Sequence, residues 1–81
     1  MEATRRRPNR SVALDLAEVR RLRCYRGLSY SELGRLTGYS DVHVGLVERG
    51  LQGASPKYAR ALAKALLGRE DRLSQILKAE T

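Results

Sequence analysis

The chain holds one histidine, His43, and one cysteine, Cys24, the two side chains with the widest reactivity near neutral pH. Nucleophilic or acid–base catalysis needs such a group within hydrogen-bond reach of a partner, and metal chemistry needs several clustered ligands. His43 and Cys24 fall on different expected helices, and no carboxylate pair or ligand cluster has a workable spacing. We therefore expect no catalytic residue, no metal and no cofactor. A single cysteine excludes an internal disulfide and a cysteine-rich zinc cluster, which suits a reducing cytosol. Cys24 reads as a small residue of the first helix.

The cations offer a different chemistry. Sixteen Lys and Arg against nine Asp and Glu give a formal net charge of +7 over 81 residues, with a sequence pI near 10.3. That excess suits a phosphate-binding surface, although many small basic proteins bind no nucleic acid. Residues 1–10 carry Arg5, Arg6, Arg7 and Arg10 against Glu2 alone, and include Pro8 and Asn9 without apolar periodicity. They read as a basic, disordered arm, leaving residues 11–81 as the domain. Such an arm can enter a narrow minor groove or neutralise phosphates; the plainer reading is a solubilising tail. Arg20, Arg21 and Arg26 read mostly as a solvated face. Arg23 follows Leu22 at the edge of a buried stripe, where a guanidinium needs a carboxylate, and Glu48 is the candidate.

Helices must position these groups. The first is expected to start with Ser11 as N-cap and Asp15 in its early turns, and to run to about residue 26 with Leu16, Val19 and Leu22 as its apolar stripe. Ser29 and Glu32 have capping-box spacing, so a second helix starts near Tyr30 and carries Leu33 and Leu36 on one face. Gly38 ends it, and Gly34 marks a close helix crossing. Tyr39 is the turn residue and Ser40 the next N-cap. A third helix follows over residues 41–49, with Val44 and Val47 inward and Gly50 beyond it. Residues 27–50 thus form a helix-turn-helix, which leaves the later helix free to lie in the DNA major groove.

The loop over residues 51–54 offers the Gln52 amide and the Gly53 backbone to a phosphate. Ser55 and Pro56 open a fourth helix with Tyr58, Ala59, Leu62, Ala63 and Leu66 at helical spacing, ended by Gly68. A last helix is expected over residues 70–79. With no strand signal between them, the elements predict one all-α, compact five-helix bundle. No run approaches the roughly 18 apolar residues that span a bilayer, and no signal peptide is apparent, so a cytoplasmic protein without a membrane partner is expected.

Residues 22–66, with LR, GLSYSELGRLTGYS, V..VERG and ALAKAL, resemble the XRE family of Cro- and CI-type phage repressor DNA-binding domains. The most specific matches are Leu33, Gly38, Ser40, Val44 and the trio Glu48, Arg49, Gly50, at family spacing without a gap. The resemblance implies a lambda-repressor-like bundle with its helix-turn-helix on helices 2 and 3, and double-stranded DNA as partner. It also implies that Arg23 pairs with Glu48, the conclusion already reached from burial. Tyr30 stands where the family usually has a phosphate-bonding glutamine; its hydroxyl can donate once but cannot supply the amide's second bond.

By the same resemblance the base-reading positions are Ser40, Asp41, Val42, His43 and Leu46. None is Gln, Asn, Arg or Lys, so bidentate contacts to guanine or adenine edges are absent from the set. Asp41 can accept from a cytosine amino group or favour the positive end of its helix. Val42 can pack on a thymine methyl. His43 can donate to a guanine or a phosphate, or be an ordinary exposed histidine, and Leu46 can touch a methyl or border the core. Arg35, Arg49, Gln52 and Lys57 flank the helix as phosphate contacts, or as ordinary surface charge.

Family domains commonly dimerise through C-terminal helices and bind half-sites about 34 Å apart. Leu73, Ile76 and Leu77 exceed what one face of a short helix needs, which supports a homodimer. Two functions follow: a small Cro-like or immunity repressor on a palindromic operator, or a protein-interaction module such as an antitoxin-like or regulator-binding subunit. The basic arm favours the first and the donor-poor third helix the second. No small-molecule ligand is expected.

Overall fold

Each described α-helix of this chain begins where a short oxygen-bearing side chain can take up a free backbone N–H. The computed structural model describes residues 11–78. Helix α1 spans Leu16–Tyr25, α2 Tyr30–Thr37, α3 Asp41–Glu48 and α4 Pro56–Leu67, followed by a 3₁₀ helix over Glu70–Ile76. Asp15, Ser29, Ser40 and Ser55 are the four α-helical N-caps, each accepting from the N–H three residues ahead. Gly38, at φ 84°, closes α2 in the left-handed conformation. Among the described residues the fold is all-helical, as expected.

Three local expectations are corrected. The N-cap of the first helix is Asp15, four residues later than Ser11, because residues 12–14 are extended: Val12 bridges Ala54 and Leu14 bridges Leu77, both antiparallel. Leu14 is buried while Ala13 and Asp15 are exposed, the alternation of a strand-like segment rather than a helix. The last helix is a 3₁₀ helix that stops at Ile76, since the backbone beyond it turns to the N-terminal strap: Asp15 N–H donates to Ile76 O at 2.9 Å and Lys78 N–H to Ala13 O at 2.8 Å. Leu36 is 59% exposed and does not share the inner face with Leu33. The packed face of α2 centres on Leu33 and Gly34, both buried, which rotates Leu36 to solvent. The arm with Arg5, Arg6, Arg7 and Arg10, and Ala79 at the expected end of the last helix, lie outside the described residues.

The core gathers on α4, whose Tyr58, Ala59, Leu62, Ala63 and Leu66 are all buried. Val19, Leu33, Val44 and Val47 meet it from the other helices, and a fully buried Ile76 closes the far side. Leu73 and Leu77 also pack against this core. Both remain half-buried, so only part of the apolar surface expected there for a dimer is used by the chain's own core.

Gly34 lets α2 sit against the turn that follows it. A Cβ at this position would lie 2.5 Å from Tyr39 O and 3.3 Å from Asp41 N, both backbone atoms with little room to retreat. Alanine gains about 1 kcal/mol over glycine in an open helix, whereas overpacking costs about 1–3 kcal/mol. The clash with fixed backbone dominates. Gly34→Ala is therefore expected to lower the melting temperature in thermal denaturation; a rise would mean that the turn can yield.

The Ser29–Glu32 capping box is complete: Ser29 N–H donates to Glu32 Oε1 at 2.8 Å and Glu32 N–H to Ser29 Oγ at 3.0 Å. The backbone N–H of Ser29 holds the Glu32 carboxyl below its ordinary value of 4.5. A lowered folded-state value means that this contribution is present above the ordinary range and lost as pH falls through and below it. Glu32→Gln keeps the acceptor but cannot titrate. It is expected to flatten the acid limb of a stability-versus-pH curve, as read by urea midpoints between pH 3 and 6.

Candidate nucleic-acid interface

Helices α2 and α3 are joined by a turn in which Gly38 N–H and Tyr39 N–H both donate to Gly34 O, at 2.7 and 2.9 Å. Val44 and Val47 face inward from α3 and are buried. The opposite side of its first turn is open: Ser40, Asp41 and Val42 are exposed, and Leu46, one turn on, is half-buried. Ser40 Oγ accepts from His43 N–H at 3.0 Å, so its hydroxyl hydrogen stays free to donate. Asp41 Oδ1 accepts from Val42 N–H at 2.9 Å. Arg35, Arg49, Gln52 and Lys57 are exposed around this helix. Arg49 Nε donates to Gly45 O at 3.1 Å, tying its stem to the end of α3.

His43 is placed differently from its neighbours. Its ring stacks on Tyr39 with centroids 4.7 Å apart and meets Tyr58 edge-on at 4.7 Å, while Tyr39 and Tyr58 meet edge-on as well. Nδ1 lies 3.0 Å from Gln52 Nε2. Nε2 is enclosed and meets no hydrogen-bond partner among the described residues. The ring therefore joins the turn, α3 and α4 in an aromatic cluster, with Nε2 enclosed and Nδ1 engaged by the exposed Gln52 amide. Burial pushes the Tyr58 hydroxyl well above its ordinary range, with the charge of Glu48 a lesser cause.

The frame behind the open turn is ionic. Arg23 Nε and Nη2 donate to Glu48 Oε1 and Oε2 at 2.7 and 2.9 Å, and Nη1 donates to Leu28 O at 2.8 Å. The two side chains are only 14% and 4% exposed. The Glu48 carboxylate holds the Arg23 proton more tightly than usual. Tyr30 completes the group: its hydroxyl donates to Glu48 Oε2 at 3.3 Å, and Arg23 Cζ lies 4.6 Å from its ring centroid. Its ring rests on α3 at Gly45, where a Cβ would come within 3.0 Å of Cε2. Gly45 is the residue that sequence reasoning passed over. A glycine inside a helix costs about 1 kcal/mol against alanine, and that cost was the available sign of a close approach.

An outward helix set on a second helix by a tight turn, with a charged latch behind and cations beside it, defines the helix-turn-helix class of DNA-binding module. Residues 16–76 match the family model described as "Helix-turn-helix domain", and the chain belongs to that family. Comparison with curated proteins and with solved structures finds no match. No helix among the described residues is long and apolar enough to cross a membrane.

Removing one partner of a buried ion pair leaves an uncompensated charge and costs about 3–5 kcal/mol, whereas exchanging both for apolar residues is often close to neutral. Arg23→Met is expected to destabilise the domain by about that amount in urea denaturation, and the Arg23→Met/Glu48→Met double variant to recover much of the loss. A double variant no more stable than the single one would locate the latch's contribution in its geometry rather than its charge balance.

Proposed function

We propose that this chain is a sequence-specific, double-stranded DNA-binding transcriptional regulator, a small Cro-like or immunity repressor that occupies a palindromic operator as a homodimer. The observation that carries the reading is the exposed first turn of α3, held on a buried Arg23–Glu48–Tyr30 frame. A rigid helix with one open face is what major-groove docking requires. Asp41 accepts from a cytosine amino group, Val42 packs on a pyrimidine methyl, Ser40 donates to phosphate or base edge, and Leu46 borders the contact. Arg35, Arg49 and Lys57 bind phosphates and set register, and the arginines of residues 1–10 add charge along a neighbouring groove. His43, Gln52 and Tyr30 act by positioning α3. Occupancy of the operator blocks polymerase.

A second reading draws on the exposed apolar side chains Leu36, Val42 at 64% and Leu51 at 70%. These suit a protein-interaction module that keeps the fold and reads another protein.

Binding-site selection from random duplexes, with a salt titration of the winners, separates the two. The repressor reading expects an enriched palindrome and an affinity that falls with salt with a log–log slope of about −0.9 per neutralised phosphate. Arg35→Ala is expected to shrink that slope by about 0.9 while leaving the selected sequence unchanged. No enriched site and no salt dependence would transfer the case to the interaction module. Sedimentation at high micromolar concentration, free and on operator, tests the dimer; a monomer in both overturns it.

A further inference from the structure

A helix turns about 100° per residue, so Val42 lies about 160° from the buried Val44 and about 140° from the buried Val47, at the outermost line of α3. A lone exposed valine on a helix is commonplace and marks nothing by itself. Here it stands beside Asp41, also exposed, whose carboxylate Oδ1 is anchored on the Val42 N–H. The pair offers one acceptor-only group and one branched apolar group, adjacent in the chain. Valine is stiff at χ1, so contact freezes little that was free. His43 has Nε2 enclosed and Nδ1 engaged by the Gln52 amide, so neither nitrogen is free to act as a donor beside the pair.

The complement of an acceptor beside an apolar group is a donor beside a methyl. In the major groove thymine shows a methyl but next to an O4 acceptor, which faces a carboxylate unfavourably, and guanine shows two acceptors. Cytosine shows the N4 amino donor without a methyl. Unmodified DNA meets the pair only with two bases, by setting a cytosine, or an adenine with its N6 amino donor, next to a thymine. One base carries both groups at once: 5-methylcytosine, with its amino group at C4 and its methyl at C5.

We propose that Asp41 and Val42 together read a cytosine amino group beside a pyrimidine 5-methyl group, so that methylation of the contacted cytosine strengthens binding. This rests on the major-groove reading of α3 above, and it makes Val42 the residue that sets specificity. The sequence preference excludes guanine on the contacted strand, and occupancy of the site responds to cytosine methylation.

The test uses the full chain and the duplex recovered by selection. Each thymine is replaced in turn by deoxyuridine, which removes only the methyl, and each cytosine by 5-methylcytosine, which adds one; affinities are read by fluorescence anisotropy. Burying one methyl corresponds to about a fourfold change in affinity. The expected result is about a fourfold gain on 5-methylcytosine, confined to one position per half-site, and a comparable loss on uridine at a thymine beside that cytosine. Both effects should vanish in Val42→Ser, a change at an exposed position whose folding is checked by its melting curve. Asp41→Asn, which adds a donor, should relax the exclusion of guanine in a repeated selection.

No gain from 5-methylcytosine at any position, or a Val42→Ser variant with the same sensitivities, would overturn the inference while leaving DNA binding intact. If no duplex is selected at all, the DNA-binding reading itself falls and takes this inference with it. Should Val42→Ser then alter binding to a protein partner instead, the exposed valine belongs to the interaction module.

Discussion

Glu48 ends α3 with its side chain almost wholly enclosed, and a carboxylate in that position is tolerable only because Arg23 reaches it with two hydrogen bonds. The guanidinium does not stop there. Its remaining amino group takes the Leu28 carbonyl in the link to α2, and its face covers Tyr30, whose hydroxyl returns to Glu48. One planar cation thus connects α1, the approach to α2, and the end of α3. A lysine has no fork to make these contacts together. The spacing between helices, the seat of Tyr30 on Gly45 and the outward aspect of the α3 first turn all presuppose this latch.

The tight turn is the second constraint, and it is set by backbone rather than by charge. Gly34 gives both donors of the turn their acceptor and lets the Tyr39 carbonyl approach α2 closely. Tyr39 then carries its ring onto His43 and Tyr58. Charge at one end of α3 and aromatic packing at the other fix its pitch and roll. This division leaves Ser40, Asp41 and Val42 free of structural duty beyond local capping, which is why this exposed turn can differ in composition without disturbing the scaffold.

Much of the scaffold was legible in the sequence because its signals are local. The Ser29–Glu32 box, Ser40, the Ser55–Pro56 start and the Gly38 stop each act within one helical turn, so residue type and spacing suffice to place them. The Arg23–Glu48 pair was legible for another reason: a cation on the edge of an apolar stripe has few ways to be satisfied. What escaped depended on distant partners. Residues 12–14 have no helical or strand signal strong enough alone, and their extended form is decided by Ala54 and Leu77. The 3₁₀ segment ends early for the same reason. His43 sits within the reading segment by spacing, yet its ring is drawn inward by Tyr58, fifteen positions later in the chain. No local pattern announces that attraction.

The strap formed by Val12 and Leu14 has a consequence for synthesis. Leu14 pairs with Leu77, so this segment finds its neighbour only after all four α-helices between them have been made. Contacts between such distant positions are slow to form because the chain entropy between them must be surrendered first. The paired helices α2 and α3, with the turn between them, are complete long before that. Until then Leu14 lacks its partner in the folded domain. The strap closes the domain by joining the segment before α1 to the one after the 3₁₀ helix.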